Sequence, residues 1–272
     1  MKFNKLIKRL SIFTVLIGTG ALLAACGNSN NSSKSSDSYQ SELTKKGTFT
    51  VGLEGTYAPY SYRQDGKLQG FEVDLAKDVA KKLDLKVNFV QTKWDSLIAG
   101  LGSNKYDAVI NNMTVTPERE KLYSFSTPYT YSYYTLITKS NSSIKSIDDI
   151  KNKNIVDGAG TDNAVVAKKF GAKVSSTPES ATGYQLIQQG RADGTINSVP
   201  AWKYYAKHNS TKGLKEIDVP SSKQKPAKTS IMFNKNSKQL TKKVNKAIEE
   251  LRADGTLKKL SIKYFGSDIT TK

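Results

Sequence analysis

The chain has 272 residues, with 42 Lys plus Arg against 24 Asp plus Glu, a formal net charge of +18, one Cys and one His. A single thiol, Cys26, and a single imidazole, His208, exclude an intramolecular disulfide, a Cys-x-x-Cys ligand pair and a polyhistidine zinc site. With 37% hydrophobic and 24% charged residues the composition is that of a globular protein of one large or two moderate domains. The excess charge fits nucleic acid, an anionic membrane or acidic surface polymers, and its distribution decides among them.

The first nine residues carry Lys2, Lys5, Lys8 and Arg9 and no acid, and an apolar run, LSIFTVLIGTGALLAA, follows. It is short for a membrane span and ends in small residues, so residues 1–25 read as a secretory signal peptide. The segment closes on Leu23-Ala24-Ala25-Cys26-Gly27, which resembles a bacterial lipoprotein signal. That resemblance makes Cys26 the lipidated first residue of the mature chain, held in the bilayer by acyl chains at roughly 0.8 kcal/mol per buried methylene. Residues 26–46, with the Ser/Asn-rich NSNNSSKSSDSYQS at 28–41, are expected to form a flexible tether. Loss of residues 1–25 removes four basic side chains and no acid, so +18 becomes +14.

The folded part opens as an α/β protein. Residues 47–53 are a strand candidate, Glu54 to Tyr62 an irregular stretch, and Asp65-Gly66 a turn. Leu75, Ala76, Val79, Ala80 and Leu83 recur at helical spacing, and the alternating Lys86 to Val90 completes a βαβ unit. A helix over 94–101, a strand over 107–110 and a helix capped by Thr116 with Pro117 at its first position come next. YTYSYYTLIT (129–138) reads as one long strand crossing to a second lobe. That lobe has strands at 153–156, 172–176 and 194–197 and helices at 162–170 and 180–190. The chain then returns through 219–229 to a strand at 230–233 and a helix whose face is Leu240, Val244, Ile248 and Leu251. The expected fold class is therefore α/β, with lobe 1 formed by 47–133 and 229–272 and lobe 2 by 134–228.

A cleft between two such lobes, at the ends of their strands, is where a ligand binds. The polar clusters at those ends include Glu54, Tyr57, Trp94, Asn111, Asn112, Thr114, Arg119, Thr161 and Ser198. Arg119 offers a planar pair of donors to a carboxylate, with the hydroxyl of Thr114 or Thr161 beside it. Tyr57, Tyr60, Tyr62 and Trp94 offer flat walls that also attract an ammonium. Each has a plainer reading: Arg119 in TPEREK as a surface ion pair, Trp94 as core, Asn111 and Asn112 as partners of local backbone.

The segments GLEGTYAPYSY, GKLQGFEVDLAKDVAKKL, TKWDSLIAGL, KYDAVINNMTVTPEREKLYSFSTPY and LRADGTLKKLSIKYFG, in this order over 47–266, resemble the extracytoplasmic solute-binding proteins of amino-acid ABC transporters (solute-binding family 3). EGTY, TKWD and INNMTVTPER are most similar to the cystine and cysteine binders. The resemblance implies the type II periplasmic-binding-protein fold, two lobes joined by a two-crossing hinge that closes on the ligand. It implies a lipid-anchored monomer on the extracytoplasmic face of the cell membrane, delivering an amino-acid-like solute to a membrane permease with a cytoplasmic ATPase, without cofactor or metal. Carried over by position, Arg119 clamps the ligand α-carboxylate with Thr114 and Thr161, Asn112 adds a contact, Tyr57 and Trp94 line the pocket, and Glu54 faces the side chain or a second amino group. One position departs. Where the family has an Asp for the ligand α-ammonium, this chain reads Asp193-Gly194-Thr195-Ile196-Asn197-Ser198, and Ser198 is neutral. Glu54 is the expected substitute; a hydrated ammonium, or a ligand that is not a simple α-amino acid, are the alternatives.

Other function classes fit less well. An enzyme needs a general acid or base, and His208 in AWKYYAKHNS reads as a surface residue. Nucleic-acid binding is not expected, because the lysines are dispersed and not interleaved with stacking aromatics. A basic surface adhesin, and capture of a short peptide or amino-acid derivative by the same fold, stand as alternatives to capture of a free amino acid.

Overall fold

The computed structural model describes residues 38–272; the signal segment, Cys26 and the tether up to residue 37 lie outside the described residues. Strand β1 (Thr48–Leu53) is buried from Phe49 onward, as a central strand covered on both faces must be. A meander of β2 (Thr56–Tyr57), β3 (Ser61–Gln64) and β4 (Lys67–Gln69) follows. Its Asp65-Gly66 turn has positive φ at both residues, 51° and 75°, the twist a tight hairpin requires. Helix α1 (Phe71–Lys82) buries Phe71, Val73, Leu75, Ala76, Val79 and Ala80, and β5 (Lys86–Gln91) then pairs parallel with β1. Helix α2 (Trp94–Gly102), β6 (Ala108–Val109), helix α3 (Pro117–Leu122) and β7 (Tyr123–Phe125) complete this part of the chain.

The 129–138 run is not one strand. It divides at the half-exposed Tyr133 into β8 (Thr130–Ser132) and β9 (Tyr134–Lys139). The two halves have different partners, which is the reason for the break. Strands β10 (Asn154–Asp157), β11 (Lys173–Ser176), β12 (Gly194–Ser198) and β13 (Leu214–Asp218) join β9 in a sheet of order β11-β10-β12-β9-β13, whereas β8 pairs with β14 (Ala227–Thr229). Between those strands lie α4 (Asp162–Lys169), α5 (Ser180–Gln188) and α6 (Val199–His208). After β14, β15 (Met232–Asn234) returns to the first sheet, giving it the order β5-β1-β6-β15-β7, and α7 (Lys238–Ala253) and α8 (Thr256–Phe265) pack over it. The architecture is two α/β lobes, and the antiparallel β8–β14 ribbon holds both crossings between them.

Each lobe has its own core. Phe49, Val51, Phe71, Leu75, Ile110, Phe233, Val244 and Ile248 belong to the first, and Leu136, Ile144, Ile150, Ile155 and Ile196 to the second. Beside the first core, the ring of Tyr106 packs so closely on Gly52 and Gly100 that a Cβ there would come within 2.6 Å and 2.3 Å of its atoms. That contact fixes the end of β1, and so the loop that carries Glu54.

The tether is shorter than the sequence implies. Tyr39 and Leu43 are buried in the first core, and the Glu42 carboxylate accepts the N–H groups of Gln239 (3.1 Å) and Leu240 (2.8 Å) at the start of α7. Two apolar side chains and one acid in an otherwise polar segment are enough to dock it, because α7 has no capping side chain of its own at Ser237. Glu42→Ala is expected to lower stability by about 1 kcal/mol, read as a shift in the thermal or urea midpoint, since two helix N–H groups lose a charged partner.

Candidate functional site

The carboxyl ends of both parallel strand sets face one another across the interlobe cleft, so the loops after β1, β6, β10 and β12 build its walls. On the first lobe, the Glu54 N–H donates to Asn111 Oδ1 (2.8 Å) and the Asn111 amide returns a hydrogen bond to Glu54 Oε2 (2.8 Å). Burial pushes the Glu54 carboxyl above its ordinary value, against the stabilising Asn111 amide, and Glu179 across the cleft pushes the same way as burial. Tyr57 stacks on the fully buried Tyr60 at 5.4 Å and 6°, and its hydroxyl donates to Asn197 Oδ1 of the second lobe at 2.6 Å. Trp94 likewise reaches across, donating from Nε1 to the Ala159 carbonyl at 2.7 Å. Tyr62, expected as a wall, lies against Tyr204 instead, at 5.5 Å.

Asn112 takes a left-handed conformation (φ 49°), which aims its N–H at Glu72 Oε1 (2.6 Å) and lets its side-chain carbonyl accept from Thr229 (3.1 Å). The next turn of chain holds Thr114, whose hydroxyl is buried with no partner among the described residues. Thr116 caps α3 by accepting the Arg119 N–H, as the sequence predicts, and this turns the Arg119 side chain inward. Its guanidinium donates to the carbonyls of Thr114 (2.8 Å) and, in the second lobe, Gly160 (3.0 Å), and lies 5.7 Å from the centre of the Trp94 ring. Arg119 is buried, yet among the described residues no carboxylate pairs with it. Burial draws the guanidinium below its ordinary value, and the negative charge of Asp162 opposes that.

In the second lobe Thr161 caps α4 by accepting the Ala164 N–H (3.2 Å), leaving the helix start beside the cleft. Ser198 does the same for α6, its Oγ accepting from Ala201 N–H (3.4 Å) and from the Tyr60 hydroxyl (3.4 Å). The cleft encloses a cavity of about 220 Å³. Of the expected residues, Glu54, Tyr57, Trp94, Asn111, Asn112 and Thr161 line it, whereas Thr114, Arg119 and Ser198 do not. For Ser198 the reason is its capping role, which turns the hydroxyl onto helix and tyrosine groups.

Sequence reasoning missed the acids of the second lobe. Asp157, Asp162 and Glu179 join Glu54 on the cavity wall, and among the described residues no Lys or Arg does. In a chain of +18, this wall carries four carboxyls and, among the described residues, no basic side chain. Asp157 ends β10 in the run Ile155-Val156-Asp157-Gly158; an acid closing a buried apolar strand was the signal available. His208 is exposed, as expected, and stacks on Tyr204 at 4.2 Å.

Comparison with known proteins identifies the family. Residues 49–267 match the model of the bacterial extracellular solute-binding proteins, family 3. The L-cystine-binding protein TcyA of Bacillus subtilis is 39% identical, over 96% of this chain and 98% of that one. The L-cystine solute receptor of Neisseria gonorrhoeae in its unliganded open conformation is 39% identical, with a TM-score of 0.58 over 84% of this chain and 96% of that one. A structure bearing on glutathione import in Gram-positive bacteria via GshT and the cystine ABC importer TcyBC of Streptococcus mutans is 33% identical, with a TM-score of 0.77 over 83% and 97%. The lower score against the open receptor, despite higher identity, accords with lobes that here are bridged by Tyr57, Trp94 and Arg119. The chain belongs to the bacterial extracellular solute-binding proteins, family 3.

Proposed function

We propose that this protein captures a small amino-acid-like solute, of the class of cystine or cysteine, in the interlobe cleft and delivers it to the membrane permease of an ABC importer. In this reading it is a monomeric binding protein and not an enzyme, held at the outer face of the membrane through lipid on Cys26. The observation that carries it is the charge layout of the cleft: four carboxyls on the cavity wall, and beside the Trp94 ring a buried Arg119 with no acid partner among the described residues. A zwitterion satisfies both at once. Its carboxylate would take Arg119, the Thr114 hydroxyl, which has no partner among the described residues, and the start of α4, while its ammonium would take the acids. Trp94 and Tyr57, already bonded across the cleft, would close over it.

A second reading, capture of a short peptide such as glutathione, has its own support. The cavity wall also includes Glu179, Tyr204, Tyr205 and Asn209, polar groups that a peptide backbone can bond, and one structural relative bears on glutathione import. A thermal-shift screen of the mature domain against the amino acids, cystine, glutathione and other short peptides at physiological salt tests both. A ligand at about 1,000 times its Kd adds about 4 kcal/mol to apparent stability, an unmistakable rise in the midpoint. If no solute shifts the midpoint and the protein binds anionic polymers in a salt-sensitive way, the adhesin reading replaces this one.

A further inference from the structure

We propose that Asp157 is the residue that receives the ligand's ammonium group, and that it, more than Glu54, makes the site selective for a free amine. This rests on the solute-capture reading above. Asp157 lies at the carboxyl end of β10, next to β12 in the sheet, and forms part of the cavity wall. It is 3% exposed. Its Oδ1 accepts the Thr195 hydroxyl at 2.8 Å, while Oδ2 is buried and has no hydrogen-bond partner among the described residues. A buried carboxylate oxygen without a donor is costly in an empty protein and is explained by a donor that arrives with the ligand.

The neighbourhood agrees. No Lys or Arg lines the cavity among the described residues, so the protein itself offers Asp157 no counter-ion there. Four residues further on, Thr161 opens α4, and one residue before it the Gly160 carbonyl takes the Arg119 guanidinium. A carboxylate seated at Arg119 and Thr161 therefore places the amine of the same amino acid next to the segment that Asp157 begins. Burial drives the Asp157 carboxyl well above its ordinary value, with the Thr195 hydroxyl and the Ile196 N–H opposing and Asp162 adding to it, as expected of an acid lacking its cation. Glu54, by contrast, already accepts the Asn111 amide.

The test is calorimetric binding of L-cystine and of glutathione, each beside its N-acetylated form, to the wild type, Asp157→Asn, Asp157→Val and Glu54→Gln. Loss of a charge-assisted hydrogen bond in a buried site is expected to weaken binding of the free amine about 10- to 150-fold in both Asp157 variants. Binding of the acetylated form should not change, so the preference for the free amine collapses; Glu54→Gln should keep that preference. Asn retains the acceptor for Thr195, and Val suits a buried strand while removing the unpartnered oxygen, so the ligand-free melting midpoint should stay level or rise. Asp157 variants that discriminate against the acetylated form as well as the wild type does would overturn the assignment, as would equal weakening of free and acetylated ligands. A wild type that binds neither solute in either form would instead overturn the solute-capture reading itself.

Discussion

Arg119→Lys is expected to weaken solute binding about 100-fold, and Arg119→Met to abolish it at millimolar ligand, while neither greatly lowers the melting midpoint of the empty protein. The guanidinium is buried and pairs with no carboxylate among the described residues; its bonds go to the carbonyls of Thr114 and Gly160. A buried cation that bonds only to neutral groups contributes little to stability and gains most when an anion arrives. Each hydrogen bond between it and a ligand carboxylate is worth roughly 1.5–3 kcal/mol, so the fork supplies at least about 3 kcal/mol, or about 100-fold in Kd. Lysine keeps the charge but not the fork, and its ammonium cannot bond Thr114, Gly160 and a carboxylate in the same planar geometry. Calorimetric titration gives the Kd, and melting curves without ligand separate binding from folding. Full affinity in Arg119→Met would remove the carboxylate from this corner of the cleft.

How much of this was legible in the sequence depends on the length scale of the interactions. The βαβ units were readable because α1 and α7 carry long apolar stripes and β1 and β10 are short apolar runs. The α3 cap was readable because Thr116 and Pro117 sit at their usual places in a helix start. The break at Tyr133 was not, since both halves of YTYSYYTLIT have the same strand-forming character and only their long-range partners differ, β14 for one and β12 with β13 for the other. The docking of Glu42 on α7 joins residues nearly 200 apart in the chain, beyond any local pattern. Of the residues expected from strand ends and the family resemblance, Glu54, Tyr57, Trp94, Asn111, Asn112 and Thr161 line the cavity. Ser198 ends β12 and also caps α6, a local role the resemblance does not reveal, and Asp157 does not stand out in sequence because an acid in an apolar strand reads as its polar terminus. Burial, which makes that acid informative, is a property of the packed lobe.

A second buried acid governs how the protein responds to pH. Glu72, fully buried at the start of α1, accepts the Asn112 N–H at 2.6 Å and the Tyr129 hydroxyl through Oε1, and its Oε2 has no partner among the described residues. Burial raises its carboxyl from the ordinary 4.5 to about 7, against the pull of those two donors. The folded protein therefore holds this proton more tightly than the unfolded chain does. The associated stability is fully present below pH 4.5, declines as pH rises between 4.5 and 7, and is gone above, a difference of about 3 kcal/mol from that shift at 1.36 kcal/mol per unit. Glu72→Gln keeps an acceptor for Asn112 and Tyr129 and has no charge to bury, so this decline should vanish and the variant should be the more stable of the two at pH 8. Urea unfolding from pH 4 to 8, comparing wild type and Glu72→Gln, isolates the contribution as the difference between the curves, because acids such as Asp74 and Asp268, held below their ordinary values, titrate alike in both. A difference curve flat across this range would show that Glu72 is ionised throughout and that its two donors outweigh its burial. Because Asn112 lines the cavity and Tyr129 leads directly into the β8–β14 ribbon, a change in the charge of Glu72 acts at the joint between the lobes as well as beneath the ligand. Ligand affinity in Glu72→Gln should accordingly vary less with pH than in the wild type over the same interval.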